Sequence, residues 1–488
     1  MKKIIGLFFA SLMVLTSCQD DLDINTNPNT PQEINKGLAL SAAEASIATV
    51  MGGELFNTGG MLAQFYTQAP SAGQYDDIDQ YNMATDQANR MWSELYAGAL
   101  NDLEFVKNES QKEENTGTYL IATVLQAYTF QYLVDVFGDV PYMDALKGSD
   151  NISPAPTAGE EIYADLLVKI NDAVASYEAN PVGSDVDGQD FIYGADMEKW
   201  VQFANTLKLK IYLRMAYTSQ ADASAVMALI DEDNFIQDNA AFAAFGTALN
   251  KRNPYYEVQI DYLGNVNDVA SNSLMEFYLQ NGDPRVGEVY TTNSDGDYKG
   301  IDQGEGLGTA LGGVQASELS RPDIGPQHPV YFMSVPESKF LQAEAQLRYG
   351  DEASAEQKYN EGVTASFNLY GVDPTGFVGA GSTYEYTSTG DVETDLEQII
   401  VQKWASLANI NNVEAWVEAK RTGYPILTTA EDPNYEDGRR LVSLGSILTG
   451  MQVPQTLYYP ESEVDRNKNI TQKPDLLQKV WWNQKSFE

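Results

Sequence analysis

Apolar residues recur with helical spacing over most of the chain. Between Met91 and Val106, for example, Trp92, Leu95 and Ala99 follow one another every three or four positions. This spacing places apolar side chains on one face and predicts an amphipathic helix. The same criterion predicts helices over Gly37–Met51, Met91–Val106, Tyr119–Phe137, Glu160–Tyr177, Met197–Tyr217, Ala221–Ile230, Ser273–Gln280, Glu337–Tyr349, Ala353–Tyr370 and Leu396–Thr422.

The segment from Tyr119 to Phe137 differs from the others because it is apolar almost all round. A helix of this kind buries its whole circumference, so we expect it at the centre of the core. Gly138 follows the last apolar residue and Pro141 lies just beyond. Both residues are typical of a helix C-terminus.

Two neighbouring predicted helices form a hairpin. Residues 340–349 and 355–371 have helical patterns, and the short Gly-Asp turn that begins at Gly350 separates them. Small alanines on the facing sides allow close approach, as in tetratricopeptide repeats, although no strict repeat consensus recurs. We therefore predict a mostly α fold built from tetratricopeptide-like helical hairpins with long ligand-binding loops.

Residues 1–17 have the organisation of an export signal. Two lysines are followed by an apolar run that ends at Leu15 and is too short to span a bilayer. The sequence Leu-Thr-Ser-Cys that ends at Cys18 matches a lipobox, which predicts acylation of this cysteine. Cys18 is the only cysteine and has no disulfide partner in the chain. The alternative is a plain secretory signal followed by an unrelated cysteine.

Residues 18–33 are rich in Pro, Asn, Asp and Thr, which predicts an extended tether. Asp20, Asp21 and Asp23 are either part of a solvated linker or a signal for surface export. We accordingly divide the chain into a signal peptide (1–17), a lipidated cysteine with a flexible tether (18–33) and a single helical domain (34–488). We expect the membrane to be contacted through the lipid anchor only.

The composition narrows the range of partners. The formal net charge is −40, with 70 Asp and Glu residues against 30 Lys and Arg residues. Such a surface repels phosphate backbones, so we expect no nucleic acid ligand. With one cysteine and one histidine, His328, the usual zinc clusters cannot be built.

Long loops rich in Gly, Asn, Asp and Tyr separate the predicted helices, and loops of this length are usually functional. They cover Ala69–Asn89, Asn180–Ala195, Phe245–Asn272, Glu288–Pro329 and Gly371–Glu393. Tyrosine rings with neighbouring amides suit the apolar face and the hydroxyls of a sugar, or a peptide. The alternative for each tyrosine is that it seals the edge of a helix. We predict a shallow site in the first and third of these loops, with ligand contacts from Tyr75, Tyr81, Arg252, Asn253, Tyr255, Tyr256, Tyr262 and Asn265.

Enzymatic chemistry has little support in the sequence. His328 lies between prolines and no nucleophile elbow is present, which argues against a Ser-His-Asp triad. Paired carboxylates of a glycoside hydrolase stay an alternative, because their separation cannot be obtained from the sequence. Asn293, Asp295 and Asp297 begin like a calcium loop, but Tyr298 takes the glycine position. We expect no catalytic residue and no cofactor, with a looser calcium site as an open alternative.

Several sequence stretches together resemble a known family. They are Leu133–Leu146, Lys199–Tyr217, Asn281–Val286, Val335–Val372, Gln398–Leu427 and Val453–Asn469. In this order they resemble the SusD/RagB-like nutrient-binding outer-membrane lipoproteins, in particular the SusD-like two branch. The resemblance covers nearly the whole chain, and the matching motifs are those of the scaffold, including Asp139, Pro141, Trp200 and Arg285.

The resemblance implies a lipid-anchored protein on the cell surface of the outer membrane. It implies capture of oligosaccharides and their delivery to a SusC-like TonB-dependent transporter, or, as the alternative, capture of peptides. The loops that would bind the ligand match no family motif, so the candidate ligand residues depend on their chemistry alone.

Overall fold

The computed structural model describes residues 35–70, 72–307 and 314–485. The predicted signal peptide, Cys18 and the tether lie outside these residues and stay predictions. Within them the fold is mostly α, as predicted, and the strands are short.

The helices, with two π-helical segments π1 and π2, follow in chain order. They are α1 (Lys36–Met51), α2 (Glu54–Leu62), α3 (Asp76–Asp79), α4 (Asn89–Ser93), π1 (Glu94–Leu100), α5 (Asn101–Lys112), α6 (Thr116–Phe137), α7 (Gly159–Ala179), α8 (Met197–Arg214), α9 (Ala223–Glu232), π2 (Tyr256–Tyr262), α10 (Asn272–Gln280), α11 (Val286–Val289), α12 (Val335–Tyr349), α13 (Glu352–Leu369), α14 (Val392–Ser406), α15 (Asn412–Thr422) and α16 (Glu461–Arg466). The strands are β1 (Tyr66–Gln68), β2 (Val140–Pro141), β3 (Pro156–Thr157), β4 (Ala240–Phe242), β5 (Asp268–Ala270), β6 (Val330–Met333), β7 (Leu427–Thr428) and β8 (Arg440–Leu441).

Helix α6 is the central core helix, as the sequence predicts. Its side chains are buried on all sides from Leu120 to Phe137, and α5 and α7 pack against it. It ends at Gly138, whose φ of 77° is a conformation that glycine adopts readily. In the described part of the chain, α6 alone is long and apolar enough to cross a membrane, but it is fully buried in protein.

Helices α12 and α13 form the predicted hairpin. Ser334 caps α12 and Asp351 caps α13, each by accepting a backbone N–H with its side chain. The helices approach closely because small residues lie between them: a Cβ at Gly362 would come within 2.7 Å of the Phe340 ring. The hairpin therefore confirms the interpretation of small residues as contacts between helices.

The prediction of one helix over Leu396–Thr422 is wrong. The chain forms α14 and α15 with a turn between them, in which Asn409 has a φ of 59°. The asparagine side chains stabilise this turn: Asn412 accepts the N–H of Asn409, and Asn411 caps α15. Asparagine competes for backbone hydrogen bonds in this way, and that competition interrupts the apolar pattern.

The described strands form four two-stranded sheets, and two of these sheets join distant parts of the chain. The antiparallel pair of β1 and β5, with Tyr66 opposite Ala270, joins the two loops that the sequence analysis selects for ligand binding. The loops are thus brought together by backbone hydrogen bonds. The other pairs are β2 with β3, β4 with β6, and β7 with β8.

A buried ion-pair network connects helices α6, α8, α12, α14 and α15. Glu414 lies at its centre, 2.8 Å from Arg214 and 3.2 Å from Lys210. Burial alone would raise the pKa of this carboxyl, but Arg214, Lys210 and Lys403 lower it to about 2. The other members include Asp135, Glu337, Glu344, Glu418 and Arg421.

Arg285, at the start of α11, is a second buried ion-pair centre. Its guanidinium binds both carboxylate oxygens of Asp283, with its shortest contact at 2.6 Å, and it also donates to Ser366 and Gln402. The rings of Tyr278, Phe367 and Tyr384 surround it at 4.6–5.7 Å. Burial opposes the charge, but Asp283 and the ring hydroxyls raise the pKa of Arg285.

Candidate functional site

A cleft of about 480 Å³ lies where α1 and α2, the region from Tyr75 to π1, and the loop before π2 meet. This volume is typical of small-molecule sites. Both loops that the sequence analysis selects contribute to it. Its lining consists of Thr49, Val50, Gly53, Glu54, Asn57, Thr58, Tyr75, Gln87, Arg90, Met91, Glu94, Asn250, Arg252, Pro254, Tyr255, Glu257, Val258 and Gln259.

One wall of the cleft is helix α2, which presents Glu54 and, three residues later, Asn57. A sharp turn at Gly53 starts this helix, with φ −119° and ψ −105°, and a Cβ there would lie 2.5 Å from the Thr49 carbonyl oxygen. Asn57 is 2% exposed, and neither of its amide atoms has a hydrogen-bond partner. Burial raises the pKa of Glu54 to about 7, and nearby Arg90 opposes the rise in part. Polar groups at this wall are therefore available to a ligand.

The tyrosine of this cleft, Tyr75, is fixed by its neighbours. Its backbone N–H donates to Gln68 of β1 at 2.8 Å, and its hydroxyl accepts from Gln259 of π2. Burial raises the pKa of Tyr75 to about 12, so its hydroxyl is neutral at physiological pH. The second amide atom of Gln259, Oε1, has no hydrogen-bond partner.

The opposite wall carries Arg252. Its Nη1 lies 2.9 Å from Asp261 and 3.6 Å from Glu257, and its Nε donates to the Thr247 carbonyl at 3.0 Å. Its guanidinium also lies 5.8 Å from the centre of the Tyr256 ring. Arg252 is thus neutralised by carboxylates of its own loop.

The two π-helical segments of the described residues both border the cleft. Segment π1 begins at Glu94 and π2 contributes Glu257, Val258 and Gln259 to the lining. Such segments are rare and occur frequently at functional sites, because the wider turn redirects side chains. Their position supports the assignment of this cleft as the site.

Three of the predicted ligand contacts, Tyr81, Asn253 and Tyr255, are buried and form hydrogen bonds within the fold. They are 4%, 2% and 1% exposed. The Tyr81 hydroxyl accepts from a backbone N–H, and the Asn253 amide donates to the His328 carbonyl at 2.8 Å. Tyr255 lies against the cleft floor, but its hydroxyl donates to Asp268 at 2.8 Å. These hydrogen bonds hold the loops in place, and a ligand contact of the three residues stays a prediction.

The other predicted contacts lie in or near the cleft. Tyr75 and Arg252 line it. Tyr256 and Tyr262 bound π2, and Tyr262 is 83% exposed. The Asn265 carbonyl accepts from Arg321, and its φ of 54° places it in a turn. No contact of these residues with a ligand is tested, so their role stays a prediction.

The predicted ligand contacts do not include the side chains of α2 and α4 that line the cleft. The glycine pair at 52–53 and the asparagine in the next segment obscured the helical pattern of α2. The polar Asn57, which follows the apolar Phe56, was the sequence signal that could have indicated this wall of the site. A buried amide in a helix needs a hydrogen-bond partner.

The described residues show no group of three His, Cys, Asp or Glu side chains that could hold a metal ion. At the possible calcium loop, Asn293 accepts the N–H groups of Asp295 and Asp297, so its side chain closes a turn. His328 contacts the Asn409 carbonyl through Nε2 at 2.8 Å, and burial lowers its pKa. It therefore stabilises a backbone turn in its neutral form.

Comparison with known proteins gives a family match and fold matches. The SusD-like_2 family, described as starch-binding associating with outer membrane, matches residues 28–443. A SusD homologue from Bacteroides uniformis has a TM-score of 0.76 at 23% identity and covers 92% of this chain and 99% of its own. A chitin-binding SusD homologue from Flavobacterium johnsoniae has a TM-score of 0.75 at 20% identity, with 92% and 99% covered. A homologue from Bacteroides thetaiotaomicron gives 0.75 at 21% identity, with 93% and 100% covered. Among curated proteins, no relative matches.

Proposed function

The chain belongs to the SusD-like_2 family, and from this membership we propose that it is a glycan-binding protein of the cell surface. The family description associates its members with starch and the outer membrane. A structurally similar protein from Flavobacterium johnsoniae binds chitin. Both point to an oligosaccharide as the ligand.

The observation that carries the proposal is the cleft with its unpaired amides. Asn57 offers a donor and an acceptor, and Gln259 offers an acceptor, none of which has a partner among the described residues. Unpaired buried polar atoms are unfavourable, and a sugar hydroxyl both donates and accepts a hydrogen bond. Tyr75 adds a neutral aromatic ring at the same place.

A binding protein on the surface cannot move its ligand through the membrane. We propose that the acyl chains on Cys18 anchor the protein and that a SusC-like TonB-dependent barrel accepts the glycan. A tether of about fifteen residues reaches at most ~50 Å at ~3.3 Å for each residue. This reach lets the body open and close over the barrel while its anchor stays in place.

Calorimetry against a panel of neutral oligosaccharides tests the binding. We expect Asn57→Ala to weaken binding about three- to tenfold, the equivalent of one lost hydrogen bond. Asn360→Ala is the matched control, because Asn360 of α13 also has an unpaired amide oxygen but lies outside the cleft. Equal effects of the two variants would contradict the assignment of the site.

The same samples test for catalysis. We propose that a labelled oligosaccharide is recovered intact after long incubation, because a binding protein leaves the glycosidic bond unbroken. Shortened products would favour the glycoside hydrolase. Binding of peptides with no glycan bound would favour peptide capture.

Extraction in mild detergent tests whether the protein forms a complex with the proposed barrel. We expect the tagged protein to co-purify with a barrel through an interface larger than about 2,000 Å², the range of obligate assemblies. The variant Cys18→Ala shows whether co-purification depends on contacts of the folded body or only on a shared patch of lipid, because it removes the predicted anchor. Two results together would refute the proposed complex: recovery of the protein as a lone monomer in several detergents, and glycan uptake by the cell that is unaffected by deletion of the protein.

A further inference from the structure

The cleft contains one carboxylate, that of Glu54, without an ion-pair contact among the described residues, although the charge of Arg90 lies near enough to oppose part of the rise in its pKa. Glu54 is half-buried at the start of α2, and it has no hydrogen-bond or ion-pair partner among the described residues. The cleft's other carboxylates have cationic neighbours: Glu257 lies 3.6 Å from Arg252, and Glu94 lies 3.9 Å from Arg90. Glu54 therefore faces the cleft as an unpaired acid.

The cations of the cleft cannot easily supply the missing charge. Arg252 is already shared between Glu257 and Asp261. The side chain of Arg90 is 70% exposed and pairs with Glu94 at 3.9 Å, so its charge opposes the rise in the pKa of Glu54 only in part. A half-buried carboxylate is unfavourable without a partner, and a cation from the ligand removes this cost.

We propose, building on the glycan-binding function above, that this cleft is specific for amino sugars, with the ligand's ammonium group bound to Glu54. Asn57 lies three residues later on the same helix, so the two side chains are on one face. An amino sugar carries a hydroxyl next to its amine, and the free donor and acceptor of Asn57 suit that hydroxyl.

The charge of the whole protein is consistent with this ligand. A net charge of −40 attracts a cationic oligosaccharide towards the surface. Burial raises the pKa of the Glu54 carboxyl to about 7, and Arg90 opposes this rise only in part, so a ligand cation in contact with Glu54 would favour its ionised form.

The test compares two oligosaccharides of equal length at pH 7 and low salt: N-acetylated chitotetraose, which is neutral, and its fully deacetylated form, whose amines are partly protonated at this pH and become fully so when paired with a carboxylate. We expect the deacetylated form to bind at least tenfold more tightly. Glu54→Gln should reduce this preference to less than twofold, mainly because the deacetylated form binds more weakly.

Glu94→Gln is the matched control, because Glu94 lines the same cleft but has Arg90 beside it. We expect this variant to keep most of the preference. Equal binding of both oligosaccharides by the wild-type protein, or a preference that survives Glu54→Gln, would overturn the amino-sugar proposal while the glycan-binding function stands. Absence of binding to either form and to every neutral glycan in the panel would overturn both. A lysine-containing peptide that binds when neither oligosaccharide does would also overturn both.

Discussion

Replacement of Arg285 by methionine tests whether the ion pair with Asp283 is a scaffold element. Methionine has a similar length and can fill the space between Tyr278, Phe367 and Tyr384. It removes the cation, however, and leaves the Asp283 carboxylate buried. The nearest remaining side-chain donor to the Asp283 carboxylate is then the Tyr384 hydroxyl, which lies 2.7 Å from Oδ2.

The expected loss of stability follows from the burial of both partners, which are at most 1% exposed. Removal of one member of a buried ion pair costs about 3–5 kcal/mol, because the other charge loses its partner. The entropy of unfolding is about 2.1 cal/mol/K for each residue, which gives ~0.9 kcal/mol/K for a body of roughly 450 residues. The Tm should therefore fall by only about 3–5 °C.

Urea denaturation followed by tryptophan fluorescence measures this loss directly, and calorimetry measures the change in Tm. In the double variant Asp283→Asn with Arg285→Met, no charge is left, so we expect at least ~2 kcal/mol to be regained. Ligand affinity should not change, because Arg285 lies outside the cleft. A single variant within ~1 kcal/mol of the wild type, or a double variant as unstable as the sum of the single ones, would refute the reasoning.

Three further predictions concern the anchor, the cleft and pH. Cys18→Ala should abolish fatty-acid labelling and release the protein into the soluble fraction; membrane association that persists would contradict the lipid anchor. Tyr75→Ala should weaken glycan binding by about 0.5–1.5 kcal/mol through loss of ring contacts, measured by calorimetry, with Tyr262→Ala as a comparison for the exposed ring outside the cleft lining. Burial, followed by repulsion from Asp190, raises the pKa of Glu44 well above its ordinary value of 4.5. The folded state therefore holds a proton that the unfolded state loses, so this group lowers stability as pH rises above about 4.5. Glu44→Gln should remove that loss, and its stability relative to the wild type, followed by thermal unfolding, should increase from pH 5 to pH 8; a constant difference would contradict the protonated state of Glu44.

Much of the helical scaffold could be predicted from the sequence, because its signals are local. The apolar circumference of α6 and the small residues between α12 and α13 determine their packing directly. The break between α14 and α15 was missed because Asn409 and Asn412 act through side-chain hydrogen bonds, which an apolar pattern does not contain. Periodicity identifies where a helix can form, whereas polar side chains decide where it ends.

The candidate site was predictable by region but not by residue. The pairing of β1 with β5 brings the two tyrosine-rich loops together, and this depends on contacts about 200 residues apart in the chain. How each tyrosine is placed depends on local packing: Tyr255 lines the cleft while its hydroxyl donates to Asp268, whereas its neighbour Tyr256 lies beside Arg252 and outside the lining. Asn57 acquires its significance from the absence of hydrogen-bond partners among the described residues, which a sequence does not show.

The buried ion-pair network has a consequence for how this protein can be altered. Each charge around Glu414 is neutralised by side chains from another helix, so a single substitution there leaves an uncompensated charge in the core. None of the network residues lines the cleft. A new ligand preference can therefore be obtained by exchange of single cleft-lining side chains, such as Arg252, Val258 or those on α2, while the helices of the network keep their arrangement. The buried ion-pair network must therefore be kept, whereas the side chains that line the cleft can be varied.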